Sequence, residues 1–278
     1  MKKYKEKKKM NLISFFGLKV KPKLTRGKGM WNPLNTQILD GGVVCLRDKD
    51  VNCFLIPAGN SFVAIDSGYS NSKNTRDGLK RLGIDADSVK AVFLTHLDID
   101  HAGGADDNSN RLFPKAKVYL GREESRYLNG ELFRKKVLFH NCRLPIALSD
   151  FSTLSDGESV TFGETTVRAV YAFGHTQGHT AYYVNDKWLF SGDCIIANED
   201  GGFCFFDFWN SDTALNKQSL KRLKAFCEEN QTEMIFTSHS GILSSERAFQ
   251  FCDNSPNWRE KGFVFCKNAD FDPYSEKR

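Results

Sequence analysis

The chain has 278 residues, of which 40% are hydrophobic and 26% charged, enough length and apolar content for a large domain with a filled core, which excludes a disordered chain. No apolar run approaches the roughly 18 residues of a membrane-spanning helix, and the mean hydropathy of −0.44 fits a soluble body. The net charge of +5 is unevenly placed: residues 1–28 hold 11 of the 39 Lys and Arg and the single acid Glu6, which leaves 28 basic against 33 acidic groups in the rest.

The organisation read from this is a basic leader or tail over residues 1–28, followed by one domain over 29–278. The leader resembles a signal peptide only at its charged start: its apolar run NLISFFGL is short, KVKPK follows at once, and no A-x-A-like cleavage site appears. An anionic surface is the contact such a leader could make, and the acidic body is not expected to bind nucleic acid. The eight cysteines contain no C-x-x-C, and several lie in apolar runs such as CFLI and VFC. They read as small buried hydrophobes in a reduced, cytoplasmic setting.

In chain order, the runs Cys53–Ile56 and Ser61–Ile65 flank the hairpin signal Pro57-Ala58-Gly59-Asn60 and end in the tight turn Asp66-Ser67-Gly68. A helix around Thr75–Leu82 leads to a buried strand, Ala91–Thr95, which runs into a polar loop. Lys117–Leu120 reads as a strand and Glu123–Leu138 as a helix of mixed charge. Ser159–Ala172 supplies two strands with a turn at Gly163-Glu164, and Ala181–Ser191 a hairpin through Asn185-Asp186. The helix Asp212–Glu229 has apolar residues at Leu215, Leu220, Leu223 and Phe226, with Ser211 or Asp212 as N-cap. A strand, Glu233–Thr237, and a helix from Ser244 follow. Early hairpins and then alternating strands and helices indicate layered α/β structure with mixed sheets.

The histidines are the informative feature. His96 and His101 lie in HLDIDH, His175 and His179 in GHTQGH, and His239 in SHS, each segment bordering an expected strand; only His140 stands apart and reads as a surface or satisfied core residue. Ser191-Gly192-Asp193 also borders a strand. Imidazoles and carboxylates at positions 96, 98, 100 and 101 offer four donors in one tight loop, a set suited to one or two divalent metals. A Ser-His-Asp triad is disfavoured, because nothing resembles a G-x-S-x-G elbow.

These segments, THLDIDHAGG, GHTQGH, FSGD and SH in that order, with the early DSG turn, resemble the metallo-β-lactamase superfamily over about residues 40–245. The resemblance implies a four-layer αβ/βα sandwich of two mixed sheets flanked by helices, with two metals at the shared sheet edge. It implies that His96, Asp98 and His175 bind the first metal and Asp100, His101 and His239 the second, with Asp193 bridging and His179 orienting a ligand. The departure is Asp98, where the usual pattern has a third histidine. The protein then supplies three carboxylates instead of two. That implies a weaker Lewis acid and admits manganese or iron beside zinc. Flavodiiron proteins, of the same fold, place a carboxylate there and use iron, but carry a flavodoxin domain that this sequence lacks.

The expected activity is that of a metal-dependent hydrolase in which a metal-bound hydroxide attacks an ester-like bond of a small molecule (lactone, thioester or phosphoester), with Asp100 as the catalytic carboxylate that holds the nucleophile. A lactonase ranks ahead of a thioesterase for want of a distinct glutathione-binding set. The alternatives are an iron-dependent redox enzyme and a degenerate, metal-poor binding protein. The aromatic run Phe203–Trp209 either walls an apolar substrate pocket through Phe205, Phe206, Phe208 and Trp209 or packs the core, and Glu123–Phe151 could cap the site.

Overall fold

The computed structural model describes residues 33–137, 140–198 and 200–256; the basic leader lies outside the described residues. The first sheet begins with β1 (Gln37–Ile38), β2 (Val44–Asp48), β3 (Val51–Ala58) and β4 (Ser61–Ile65), paired antiparallel. It continues with β5 (Val89–Leu94) and β6 (Lys117–Gly121), each parallel to its predecessor in the sheet. A small hairpin of β7 (Lys135–Val137) and β8 (His140–Cys142) intervenes before β9 (Ser152–Leu154) joins β6 in parallel. The second sheet starts with the meander β10 (Ser159–Phe162), β11 (Thr165–Tyr171), β12 (Thr180–Val184) and β13 (Trp188–Gly192). After the hairpin of β14 (Ile195–Ala197) and β15 (Gly202–Cys204), it is completed by β16 (Met234–Thr237), parallel to β13, and β17 (Gly241–Leu243). Both sheets are thus mixed, as expected from the sequence.

Alternation along the strands explains the layering. Neighbouring side chains point to opposite faces, so Val44 and Leu46 join one buried cluster while Cys45 joins another, and Leu55 is likewise separated from Phe54 and Ile56. The cluster between the sheets is aromatic: Phe54, Phe93, Tyr182, Phe190 and Phe236 meet there, with Phe190 and Phe236 stacked at 4.5 Å. Outside the first sheet, Leu79 of helix α1 (Lys73–Arg81) covers Leu46 and Val92. The turn after α1 gives way to β5, and after β6 comes a short helix, α2 (Arg122–Ser125). Outside the second sheet, Leu220, Leu223 and Cys227 of α3 (Thr213–Glu229) cover Ala181, Tyr183, Leu189 and Ile235. A last turn, α4 (Ser245–Ala248), is capped by Ser244. Layers in the order helix, sheet, sheet, helix bury both faces of each sheet, the arrangement that runs of apolar strand residues require.

Local chemistry matches the sequence in most places. Asp212 is the N-cap of α3, accepting from Leu215 N. Asn185 and Asp186 both take φ +53° in the β12–β13 turn, the left-handed pair a two-residue hairpin needs. The exception is Glu123–Leu138. Its helix ends at Ser125, and the chain turns through Asn129-Gly130, with Gly130 at φ +80°, into β7. The Glu123–Arg126 pair, three residues apart, gives this segment a helical charge pattern, but the glycine turn decides the path. Six cysteines (45, 53, 194, 204, 227 and 252) are buried free thiols, in keeping with their place in apolar runs. Among the described residues, no helix is long and apolar enough to cross a membrane.

Candidate metal centre

Four segments converge because each leaves the C-terminal end of a strand on one shared edge. The loop after β5 carries His96 to His101, the loop after β11 carries His175 and His179, Asp193 follows β13, and His239 follows β16. Close approach demands glycine in two of these loops. A Cβ on Gly178 would lie 2.1 Å from Glu124 N, and Gly192, at φ +55°, lies against the His179 ring, where a Cβ would meet Nε2 at 2.5 Å.

The convergence produces two groups that share one carboxylate. His101 Nε2 and His239 Nε2 lie 3.2 and 3.3 Å from Asp193 Oδ1, and each lies 3.4 Å from Asp100 Oδ2. On the other side, His175 Nε2 and His96 Nε2 lie 3.3 and 3.6 Å from Asp98 Oδ2, and 3.5 and 4.0 Å from Asp193 Oδ2. A tetrahedral ion with ligands at about 2.1 Å has ligand separations of roughly 3.4 Å, so both groups have the dimensions of a cation site. His96 Nε2, His101 Nε2 and both oxygens of Asp193 are buried and make no hydrogen bond. Such atoms are costly unless a cation completes them, and these residues therefore fit a pair of divalent ions.

Each inward nitrogen is aimed by a partner behind its ring. His101 Nδ1 lies 2.8 Å from Asp66 Oδ2, and His239 Nδ1 donates to the Asp50 carbonyl. His175 Nδ1 faces Asn210 Oδ1 at 3.2 Å, and His96 Nδ1 faces Thr95 Oγ1, which in turn bonds Asp66. These contacts put the proton on Nδ1 and leave the Nε2 lone pairs pointing inward. His179 is placed differently: its Nε2 accepts from Asp193 N at 3.0 Å, so it orients the shared carboxylate. Glu124 joins the two loops of the first group, accepting from Leu97 N and Thr176 Oγ1.

Electrostatics separate the groups. Burial disfavours a charged His101, yet Asp193, Asp100 and Asp66 together raise its pKa well above the usual value, the mark of a strongly negative pocket. His175 shows the opposite: burial, opposed by the Asp98 contact and reinforced by the Arg134 guanidinium, takes it down to about 3. Arg134 is a feature the sequence reading did not find. Its Nε and Nη2 grip Asp98 Oδ1 and Oδ2 at 2.8 and 2.9 Å, and against the cost of burial this cation holds the Asp98 carboxyl well below the usual range. The extra negative charge on which the expectation of manganese or iron was built is therefore offset on the spot. The one available signal is chemical: an acid in a buried histidine position calls for a basic partner, and the segment from 122 to 151 holds several Lys and Arg, of which Arg134 is the one buried among the described residues.

The aromatic run divides. Phe205 and Phe206 are buried, and the Phe205 ring lies edge-on to His175 at 4.7 Å. Phe208 is 68% exposed and Trp209 partly so, with their rings 5.1 Å apart, and the Trp209 carbonyl accepts from Arg134 beside the first group. Phe205 and Phe206 thus pack, Trp209 lies partly buried against them, and Phe208 faces outward. The side chain of His140 lies outside the described residues.

Two mixed sheets sandwiched by helices, with histidines and aspartates gathered at the sheets' common edge, define the class of fold. The chain belongs to the metallo-beta-lactamase superfamily, whose sequence model matches residues 46–239, more than half of its length. It is 29% identical over 203 residues to a hydroxyacylglutathione hydrolase of Gloeobacter violaceus, covering 73% of this chain and 68% of that protein. It is 28% identical over 190 residues to a probable polyketide biosynthesis zinc-dependent hydrolase of Bacillus subtilis, covering 68% and 72%. The chain spans about half the length of two further curated relatives. Among solved structures, a B3 metallo-beta-lactamase with an active-site glutamic acid aligns with a TM-score of 0.59 at 18% identity, covering 80% of this chain and 88% of that one, a likeness of fold.

Proposed function

We propose that the chain is a metal-dependent hydrolase that holds two divalent ions, zinc first among them, and cleaves an ester-like bond in a small molecule, a thioester foremost. The observation that carries this reading is a group of four possible ligands, Asp100, His101, Asp193 and His239, beside a group of three, His96, Asp98 and His175, with Asp193 turning Oδ1 to the first and Oδ2 to the second. His96, Asp98 and His175 would hold one ion, and Asp100, His101 and His239 the other. Bound there, the ions would supply a water of lowered pKa as nucleophile and polarise the oxygen of the scissile group. Asp100, buried with Oδ2 between His101 and His239, is the carboxylate that takes the nucleophile's proton and returns it to the leaving group. Asp193, fixed by His179 through its own N–H, keeps the two pockets in register. Phe208 and Trp209 would receive the apolar part of the substrate.

The relatives' names support the choice of substrate class, since hydroxyacylglutathione is a thioester, and a zinc-dependent hydrolase among them supports zinc. The test is elemental analysis of protein purified without added metal, followed by a panel of thioesters, lactones and phosphoesters before and after chelation. Zinc with ester cleavage that chelation abolishes is the expected result. Bound iron with oxygen uptake and no ester cleavage overturns it in favour of redox chemistry. Sub-stoichiometric metal without turnover overturns it in favour of a binding protein.

A further inference from the structure

Arg134 is the only buried lysine or arginine among the described residues, and every interaction around it is directed. Nε and Nη2 form a fork on the two oxygens of Asp98, Nη2 also donates to the Trp209 carbonyl at 2.8 Å, and Nη1 donates to Ser211 Oγ at 3.0 Å. The backbone behind it is pinned as well, since Arg134 N bonds the Cys142 carbonyl at the base of the β7–β8 hairpin. A guanidinium so anchored is a fixed charge, and a planar fork on a carboxylate is the geometry in which arginine is least replaceable.

Its position settles what that charge faces. Asp98 Oδ2 is at once a partner of Arg134 and the carboxylate oxygen closest to both His96 Nε2 and His175 Nε2, at 3.6 and 3.3 Å. Nη2 also lies 3.2 Å from His175 Nε2. That nitrogen has two hydrogens, and Asp98 and Trp209 take both, so the lone pair of His175 stays available to another electrophile. The guanidinium therefore sits behind the pocket as a partner of the ligand and leaves the pocket itself to a cation.

We propose that Asp98 and Arg134 form a charge-neutral ligand unit that takes the place of a third histidine, so that the first ion meets the same net charge as in a site of three imidazoles. The inference rests on the two-ion reading above. It replaces the expectation of a harder metal: a carboxylate whose charge is cancelled at hydrogen-bond distance does not raise the anionic charge of the pocket, and zinc keeps its advantage over manganese.

Charge exchange tests it without reference to turnover. Full-length wild type, Asp98→His, Arg134→Met, Arg134→Lys and the double variant Asp98→His/Arg134→Met are stripped with a chelator and titrated with zinc. They are then equilibrated with equal zinc and manganese, bound metal is measured by elemental analysis, and folding is checked by circular dichroism. Wild type is expected to bind two zinc ions. Asp98→His, which leaves the guanidinium uncompensated beside the ion, is expected to bind the first ion about tenfold or more weakly. The double variant, with no charge at either position, is expected to recover two tight equivalents. Arg134→Met alone is expected to raise the manganese share, whereas Arg134→Lys, which keeps the charge, is not; this pair decides the matter should the histidine variants fail to fold.

Two equivalents in wild type with no coupling between positions 98 and 134 overturn this inference alone. One equivalent in wild type that rises to two in Arg134→Met also overturns it, because the guanidinium would then stand in for the ion. No bound metal in any form removes the two-ion reading and this inference with it.

Discussion

The two halves of the centre solve the same problem of burial in opposite ways. Around Asp100, His101 and His239, every group is sealed from solvent, the rings lean on Asp66 and on the Asp50 carbonyl, and the surplus of carboxylate raises the His101 pKa. Around His96, Asp98 and His175, the carboxylate is 18% exposed at its side chain and already carries a counter-charge in Arg134. One half leaves its charge for the proposed ion to balance, while the other balances it within the protein. On the two-ion proposal, the first would depend on its cation for stability as well as chemistry, and the second could be open at the mouth, where a substrate would enter.

The sharpest way to break this contrast is to remove a member of the sealed half. His101→Ala is expected to lower hydrolysis about 10³-fold or more, because it removes both a ligand and the partner of Asp193. Asp100→Ala should do the same. Circular dichroism and metal content must show a folded protein with one ion lost, and undiminished turnover in such a protein would sink the assignment.

The open half is tied together by Glu124, which spans from Leu97 N to Thr176 Oγ1 and whose pKa burial raises from 4.5 to about 7 despite those two bonds. The folded state therefore binds a proton more readily than the unfolded chain. Its contribution is fully present below about pH 4.5 and is lost as pH rises through 7. Glu124→Gln keeps an acceptor for Leu97 and a partner for Thr176 and removes the titration. Denaturant unfolding of the metal-loaded proteins should show the stability of wild type relative to the variant falling by on the order of 3 kcal/mol between pH 4.5 and 7.5, then levelling. A pH-independent difference would show that Glu124 is not the protonated link between the loops.

The sealed half also makes a smaller claim about the groups behind its rings. Asp66 holds His101 Nδ1 and the Thr95 N–H, so Asp66→Asn keeps the shape and weakens the hold. A loss of 10- to 100-fold in affinity for the second ion is expected, read by competition with a chromophoric chelator. The matching substitution in the open half, Asn210→Ala behind His175, should weaken the first ion instead, and the two affinities report which half each residue serves.

How much of this was visible in the sequence follows from how far apart the partners lie. Candidate ligands packed within six residues, as in HLDIDH, or set beside a strand end, as at Asp193 and His239, declare themselves by spacing. The alternation that sends Val44 and Cys45 to different layers declares the sheets. Arg134 was hidden because its partner is 36 residues away and its charge is one of 39 like it. The mixed charge of Glu123–Leu138 suits a helix, whereas the Asn129-Gly130 turn, with Gly130 at φ +80°, ends it. Asp66 belongs to a turn in the sequence, and only the fold shows it behind the His101 ring. Local pattern names the donors, and the charges that tune them arrive from elsewhere in the chain.

The smallest effect concerns the loop whose Trp209 carbonyl meets Arg134, where Phe208 stands 68% exposed beside Trp209 while Phe205 and Phe206 are buried. An aromatic side chain this exposed contributes little to folding, so Phe208→Ala should leave the unfolding free energy within about 0.5 kcal/mol of wild type. If the ring covers the apolar part of a substrate, its loss removes about 1 kcal/mol of contact from bound substrate and transition state alike, a KM raised roughly fivefold with kcat unchanged. Phe205→Ala should behave in the opposite manner. That ring is buried against His175, so its loss opens a cavity beside a candidate ligand and should lower stability and kcat together. A KM that stays fixed in Phe208→Ala across substrates of increasing acyl length would move the entrance away from this loop and leave Arg134, held by the same loop through the Trp209 carbonyl, as its main reason for lying where it does.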